Sequence, residues 1–152
     1  MIGEGDKAPD LTVVASDGSS VNLASPGQPL VLYFYPKDDT SGCTAEAIAF
    51  SKDSKAFKAA GAIVVGVSKD SAVSHDKFKA KHALSVTLAA DEETKTAAAY
   101  GVWVEKSMYG RCYMGMERAT FLIDGKGIIR KIWRKVKVPG HAAEELAAAK
   151  AL

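Results

Sequence analysis

Residues 30–43, LVLYFYPKDDTSGC, decide the fold of this 152-residue chain. The first six form a continuous apolar run with β-branched and aromatic side chains, which is typical of a central strand covered on both faces. The polar loop from Pro36 to Gly42 follows, and apolar residues at near-helical spacing then predict a helix from Cys43 to about Ala60. A strand that leads through a short loop into a helix indicates an α/β unit.

The rest of the chain supplies the other elements of such a sheet. Residues 11–14 and 20–23 flank a turn and predict an N-terminal β-hairpin. We expect further strands at 62–67, 86–88, 102–104, 119–123 and 127–136, helices at 71–82, 91–100 and 140–152, and a loop at 109–115. Strand–helix–strand crossovers followed by a hairpin predict one α/β domain over residues 1–152, a mixed sheet with helices on both faces.

The composition excludes several classes of protein. Twenty basic and eighteen acidic residues give a net charge of +2, which argues against nucleic acid or an anionic membrane as the main partner. No apolar run approaches the roughly 20 residues that cross a bilayer, and Met1–Asp6 lacks the segments of a signal peptide. Two cysteines, Cys43 and Cys112, exclude a disulfide scaffold, so we expect a cytoplasmic protein.

Cys43 is the candidate nucleophile of this chain. It lies where the strand leads into the helix, and the free backbone N–H groups and dipole of a helix start both favour a thiolate. The thiolate is the nucleophilic form of cysteine. A small buried core residue is the alternative, but a core residue needs neither a polar loop before it nor a helix start beneath it.

Three neighbours of Cys43 sharpen this hypothesis. The Thr40 hydroxyl can accept a backbone N–H, as an ordinary helix cap does, and still direct its own O–H toward a substrate oxygen. Gly42 lets an incoming molecule approach the backbone closely. Glu46 lies on the same helical face as Cys43, and because its carboxylate would oppose a thiolate, the pair requires a buried cation.

Residues 33–47, YFYPKDDTSGCTAEA, resemble the peroxidatic segment of peroxiredoxins, most closely those of the bacterioferritin comigratory protein, or peroxiredoxin Q, branch. The general pattern of this segment is matched by Pro36, Thr40 and Cys43. Further matches follow the same order along nearly the whole chain, at residues 5–9, 67–71, 74–75 and 113–124. The resemblance implies a thioredoxin-like fold and a thiol-dependent peroxidase for hydrogen peroxide and small alkyl hydroperoxides, without metal, haem or flavin.

The resemblance also implies a role for each matching residue. Cys43 would attack the terminal oxygen of the hydroperoxide and become a sulfenic acid. Arg118 would be the cation beside the thiolate, oriented by the charge-assisted hydrogen bonds that it donates to Glu46. Thr40 and the backbone N–H groups of Gly42 and Cys43 would bind the peroxide oxygens, where donors stabilise the charge that develops as the O–O bond breaks.

Pro36 matches the branch and would shield the pocket from water. The chain departs from the branch in two respects. Ser41 stands where the branch usually has proline, and we expect only a small change in loop rigidity. Many relatives carry a resolving cysteine five residues after the peroxidatic one, and others carry it on a later helix. This chain has Ile48 and Ala97–Ala98 at those positions, so the resemblance implies an external reductant of the thioredoxin or glutaredoxin type, acting on a monomer.

Cys112 is the remaining candidate for a resolving cysteine. It lies in the loop predicted at 109–115, six residues from Arg118, which is about 20 Å along an extended chain. A disulfide needs Cα atoms within about 7 Å. Cys112 can therefore reach Cys43 only if the loop folds back or the helix start unwinds, and a bystander or intermolecular role is the favoured alternative.

Other functions have less support from the sequence. A peroxide-sensing or holdase protein that uses the Cys43 sulfenate as a signal is the main alternative, whereas a disulfide oxidoreductase would require a Cys-x-x-Cys pair that is missing. The histidines His75, His82 and His141 do not show metal-ligand spacing with the cysteines, so we expect no metal. His75 is predicted to be a surface or helix-capping residue.

Overall fold

The computed structural model describes residues 2–152, so Met1, the first residue of the segment tested for a signal peptide, lies outside the described residues. The strands are β1 (Thr12–Val14), β2 (Ser20–Asn22), β3 (Leu30–Phe34), β4 (Ile63–Ser68), β5 (Thr87–Ala90), β6 (Trp103–Met108), β7 (Arg111–Met116), β8 (Ala119–Ile123) and β9 (Ile129–Trp133). The helices are α1 (Ser41–Lys52), α2 (Ser54–Ala59), α3 (Ala72–His82), α4 (Lys95–Ala99) and α5 (His141–Lys150).

Five strands form a mixed sheet in the order β5-β4-β3-β8-β9. Strands β3, β4 and β5 are parallel, and β8 pairs antiparallel with both β3 and β9. The two hairpins β1–β2 and β6–β7 form separate antiparallel pairs. The predicted mixed sheet and the N-terminal hairpin are therefore confirmed.

The central strand β3 is buried along its whole length because both faces of the sheet are covered. Leu30, Leu32 and Phe34 point to one face, and Val31 and Tyr33 point to the other. The first face packs against the N-terminal hairpin and α4, through residues Val13, Leu23, Ala97 and Tyr100. The second packs against α1, α2, α3 and α5, through residues Ala47, Phe50, Phe57, Phe78 and Ala142. Helices thus cover both faces, as the continuous apolar run predicts.

An aromatic side chain of β3 packs closely against a glycine of β4. Tyr33 stands opposite Gly66 in the register, and a Cβ at Gly66 would lie 2.5 Å from Tyr33 Cζ. The Tyr33 ring stacks on Phe50 of α1, with ring centroids 4.5 Å apart. Only glycine at position 66 leaves room for this ring, which lies on the sheet face that carries α1.

Two predicted helices are shorter than the sequence pattern indicates. The helix expected over 43–60 is interrupted at Asp53, which ends α1 and precedes α2. The helix expected over 91–100 is reduced to α4, because the Asp91 carboxylate accepts the backbone N–H groups of Thr96 and Ala97 and so holds the chain in a turn before α4 begins. Thr94, inside that turn, has a φ of 59°.

The prediction of a loop over residues 109–115 is wrong except at Tyr109 and Gly110. The strand expected at 102–104 continues through β6 to Met108, and β7 returns from Arg111. Tyr109 and Gly110 form the connection, with φ values of 52° and 75°, the left-handed conformation that two-residue hairpin turns require. Tyrosine rarely adopts this conformation, so a two-residue hairpin turn is hard to predict at this position. No helix among residues 2–152 is long and apolar enough to cross a bilayer.

Candidate active site

Cys43 lies in the first turn of α1, directly after the loop that follows β3. Its side chain is buried, with 2% of the residue exposed. Within residues 2–152, the backbone N–H groups of Gly42 and Cys43 have no hydrogen-bond acceptor, as expected for the first turn of a helix. The sulfur therefore lies where unpaired N–H groups and the helix dipole stabilise negative charge.

The strand register brings Arg118 to this helix start. Ala119, the first residue of β8, pairs with Phe34, the last residue of β3. Arg118 precedes Ala119 and therefore lies beside the loop that β3 enters. Its Nη2 donates to Cys43 Sγ at 3.3 Å and its Nη1 donates to Glu46 Oε1 at 2.6 Å. One guanidinium thus connects the sulfur to a buried carboxylate and supplies the cation that the sequence pattern required.

The charges of Glu46 and Arg118 depend on each other. Burial raises the pKa of Glu46 to about 7, although the charge and hydrogen bond of Arg118 act in the opposite direction. Burial opposes the charge of Arg118, but Glu46 and Cys43 outweigh that effect and raise its pKa. The guanidinium therefore stays charged, whereas the Glu46 carboxyl gains a proton near neutral pH. The second oxygen of Glu46, Oε2, has no hydrogen-bond partner within residues 2–152.

The loop residues Pro36, Thr40 and Gly42 surround the helix start. Pro36 and Gly42 are half-buried, and Thr40 is exposed. The predicted cap interaction is wrong: the Thr40 side chain accepts no helix N–H, and its hydroxyl donates to the Lys37 carbonyl at 2.9 Å. A Cβ on Gly42 would lie 3.1 Å from Arg118 Nη2, so the missing side chain makes room for the guanidinium.

Cys112 differs from Cys43 in its burial and in its position in the fold. It is an exposed residue of β7, paired with Ser107 of β6, and both cysteines are free. From Cys112 to Met116 the chain is an extended strand, which spans about 13 Å. Of the two positions where relatives carry a resolving cysteine, Ile48 is exposed on α1 and Ala97 is fully buried in α4.

Comparison with known proteins identifies the family of this chain. The model of the AhpC/TSA family matches residues 4–132. Peroxiredoxin Bcp of Bacillus subtilis is 50% identical over 143 residues, which cover 93% of this chain and 91% of the relative. This chain belongs to the AhpC/TSA family, among the Bcp peroxiredoxins. The resemblance based on residues 33–47 is therefore confirmed.

Solved structures agree with this assignment. The bacterioferritin comigratory protein of Xanthomonas campestris, studied for alkyl peroxide reduction, superimposes with a TM-score of 0.87 at 45% identity, covering 95% of this chain and 92% of that chain. A mutant of Xylella fastidiosa PrxQ superimposes with a TM-score of 0.91 at 39% identity, covering 99% of this chain and 97% of that chain. The thioredoxin-like peroxiredoxin fold is confirmed.

Sequence analysis missed a buried acidic group behind the site of this peroxiredoxin. Glu145 and His141, one turn apart on α5, contact each other through Oε2 and Nε2, and His141 Nε2 also lies 3.2 Å from Thr120 Oγ1. Burial, and then the charge of Glu46, raise the pKa of Glu145 to about 9. Burial lowers the pKa of His141 to about 4. At neutral pH the acid is therefore protonated and the imidazole is neutral.

Lys106 is a second residue that the sequence did not single out. Its ammonium donates to the carbonyl of Met116, two residues before Arg118. Burial and then the nearby Arg118 guanidinium lower its pKa, while Cys43 and Glu117 act in the opposite direction. Lysine in an alternating strand is usually a solvent-facing residue, so only the pairing of β6 with β7 places this cation near the site.

The prediction for His75 is wrong. It is neither exposed nor a cap, because Ser71 caps α3 by accepting the N–H of Ser74, and His75 is fully buried. Within residues 2–152, no group of three or more histidine, cysteine or acidic side chains has the arrangement of a metal site.

Proposed function

We propose that this chain is a thiol-dependent peroxidase that reduces hydrogen peroxide and small alkyl hydroperoxides. The Cys43 thiolate attacks the terminal oxygen, a sulfur–oxygen bond forms and the O–O bond breaks. The sulfur is oxidised to a sulfenic acid, and the leaving oxygen takes a proton and departs as water or an alcohol. The observation that carries this proposal is the Arg118 guanidinium, which donates to Cys43 Sγ at 3.3 Å and to Glu46 Oε1 at 2.6 Å.

The surroundings of Cys43 suit the charge changes of this reaction. Arg118 stabilises the thiolate before attack, and with the free N–H groups of Gly42 and Cys43 it stabilises the oxygen that gains negative charge. The Thr40 proton is directed to the Lys37 carbonyl, so we assign the Thr40 oxygen the role of acceptor for the peroxide O–H. Pro36, half-buried beside this loop, would limit the access of water.

Regeneration of Cys43 then depends on an external thiol. The two positions that hold resolving cysteines in relatives are occupied here by Ile48 and Ala97–Ala98, and Cys112 lies on an exposed strand. We propose a reductant of the thioredoxin or glutaredoxin type, whose thiol attacks the sulfur of the sulfenic acid, so that the S–O bond breaks, water leaves and a mixed disulfide forms. We further propose that the chain acts as a monomeric domain over residues 1–152 in the cytoplasm, where its two free cysteines stay reduced.

The test is intact-mass analysis after one equivalent of peroxide, with wild type and Cys112→Ser. Gain of one oxygen in both proteins supports a Cys43 sulfenic acid without an internal partner. Loss of two hydrogens in the wild type alone would instead show a Cys43–Cys112 disulfide. No reaction of Cys43 in either protein would reject the peroxidase proposal.

The missing resolving cysteines are also compatible with a peroxide sensor. A second measurement distinguishes an enzyme from such a sensor. Repeated peroxide consumption with thioredoxin or glutaredoxin, their reductases and NADPH supports the enzyme. Consumption of a single equivalent in every reducing system supports a sensor or holdase that uses the Cys43 sulfenate as its signal.

A further inference from the structure

A buried polar cluster lies beneath the loop between β3 and α1. Asp38, in the middle of that loop, accepts a hydrogen bond from Tyr35 Oη at 2.6 Å on Oδ1 and from Ser74 Oγ at 2.8 Å on Oδ2. His75 Nδ1 lies 2.7 Å from the same Oδ2, and His75 Nε2 lies 3.0 Å from the carbonyl oxygen of Ala89. No part of His75 is exposed to solvent.

The partners of His75 define its protonation state. The Ala89 carbonyl can only accept, so His75 Nε2 carries a hydrogen. An ionised Asp38 carboxylate can only accept, so its contact of 2.7 Å with His75 Nδ1 requires a hydrogen on that nitrogen. Burial acts to raise the pKa of Asp38, but hydrogen bonds from His75, Tyr35 and Ser74 outweigh burial and lower it. With Asp38 ionised, His75 is an imidazolium inside the protein core.

The same cluster fixes the backbone of the loop. The N–H of Asp38 donates to Asp70 Oδ2 at 2.8 Å, and Ser68 Oγ donates to that oxygen at 2.7 Å. Asp38 is therefore fixed through its side chain and its backbone to β4, α3 and the segment between them. It lies between Lys37, whose carbonyl receives the Thr40 hydroxyl, and Asp39, which has a φ of 60°.

We propose that His75 is a positioning residue for the peroxide reaction: its imidazolium, paired with Asp38, holds loop residues 36–40 in the conformation that serves Cys43. The proposal rests on the proposed peroxidase function. His75 touches no reacting atom and acts through Asp38 on the loop that carries Thr40 and Pro36. Replacing the charged pair by neutral groups leaves buried donors and acceptors without partners, which loosens the loop.

The charged and titratable groups around His75 come from several elements. Asp38 contacts it from the loop, and Tyr35, which follows β3, lies with its hydroxyl 3.3 Å from Nδ1. Asp70 is connected to His75 through Asp38, whose backbone N–H it accepts. Asp39, the next residue of the loop, pairs with Lys81 and His82 at the end of α3.

The first experiment measures the charge of His75 directly. In protein labelled with ¹⁵N histidine, NMR at pH 7.5 should show both ring nitrogens of His75 at imidazolium positions, with His75→Gln providing the assignment. Asp38→Asn should convert His75 to a singly protonated ring, because the amide no longer requires a hydrogen on Nδ1. A singly protonated His75 in the wild type would overturn the proposal, whether or not the protein reduces peroxide.

The second experiment measures what the pair does for the reaction. We expect His75→Gln and Asp38→Asn to lower the rate of Cys43 oxidation by hydrogen peroxide about tenfold relative to the rate of Cys43 alkylation by iodoacetamide. Ser74→Ala is the matched control, since it removes a neutral donor from the same carboxylate, and should change this ratio less than threefold.

Asp38→Asn keeps the shape of the cluster and decides the question if His75→Gln does not fold. A wild-type ratio in the folded variants would overturn the positioning role and leave the proposed peroxidase intact. If wild-type Cys43 does not react with peroxide, the proposed function fails and the positioning role fails with it, while the NMR result still decides the charge of His75.

Discussion

Cys43 and Cys112 lie in two regions that differ in burial, charge and hydrogen bonding. Cys43 is enclosed at the start of α1, where Arg118 donates to its sulfur. Cys112 lies on β7 opposite Ser107, in a hairpin whose neighbouring side chains Tyr109 and Tyr113 are also exposed. Among residues 2–152, no side chain donates a hydrogen bond to the more accessible thiol and no cation is paired with it. A thiol becomes a selective nucleophile through groups that stabilise its charge, so we expect Cys43, and not the more exposed Cys112, to react with peroxide.

The strongest test of this comparison removes each sulfur in turn. Cys43→Ser should abolish peroxide consumption, because serine is a far weaker nucleophile than a thiolate, while its circular dichroism spectrum stays that of the wild type. More than trace turnover in folded Cys43→Ser would show that the buried cysteine is not the reacting group.

The second test keeps the charge beside Cys43 and changes its shape. Arg118→Lys should lower the second-order rate constant for peroxide about 100-fold, because a point-charge ammonium cannot contact Cys43 and Glu46 together as the planar guanidinium does. Stopped-flow fluorescence or competition kinetics measures the rate. An unchanged rate constant would place the reaction in a different pocket.

The third test uses the titration of Glu46. Its pKa is raised to about 7, so as pH rises through this value the carboxylate forms and orients Arg118. Glu46→Gln, which mimics the protonated acid, should react about tenfold more slowly than wild type at pH 8.5. The two proteins should differ little at pH 5.5. A difference that stays constant across this range would exclude Glu46 ionisation as the cause.

The fourth test concerns stability, because the buried acid Glu145 lies close to the Cys43 site and titrates differently in the folded and unfolded chain. The folded pKa of Glu145, about 9, exceeds the value of 4.5 for the free side chain. Its contribution to stability is therefore fully present below pH 4.5 and is lost as pH rises through about 9. Glu145→Gln removes this titration. The free energy of unfolding of the variant, relative to that of the wild type, should therefore rise by about 1 kcal/mol for each pH unit between pH 6 and 9.

Urea denaturation at several pH values measures that difference. Glu144→Gln, an exposed position on the same helix, is the matched control and should show no such trend. Parallel pH profiles for wild type and Glu145→Gln would show that Glu145 does not hold a proton in the folded state.

The smallest expected effect completes the comparison. Cys112→Ser should change the rate of Cys43 oxidation less than twofold, because Cys112 lies on an exposed strand while the guanidinium donates to Cys43 and Glu46. Under excess peroxide both proteins should overoxidise to the sulfinic acid. A Cys43–Cys112 peptide as the main product of a non-reducing digest would show instead that α1 unwinds or the hairpin folds over during each cycle.

Much of the fold could be predicted because its signals are local. The apolar run at 30–35, the polar loop and the following helical spacing predict β3 and α1, and the position of Cys43 follows from them. The hairpin β6–β7 could not be predicted, since its turn uses a tyrosine with positive φ and β7 exposes its first four side chains. Neither an apolar alternation nor a usual turn pair marks that segment.

The sequence alone therefore predicted the order of most strands and helices, although not β7, together with a thiol at a helix start and, through its motifs, the peroxiredoxin family. Tertiary structure alone decided which groups surround that thiol. Arg118 reaches Cys43 across 75 residues because β8 pairs with β3, and His75 and Glu145 are buried because α3 and α5 cover the same face of the sheet. Side-chain charge depends on desolvation and on partners distant in sequence, so these properties follow only from the packed fold.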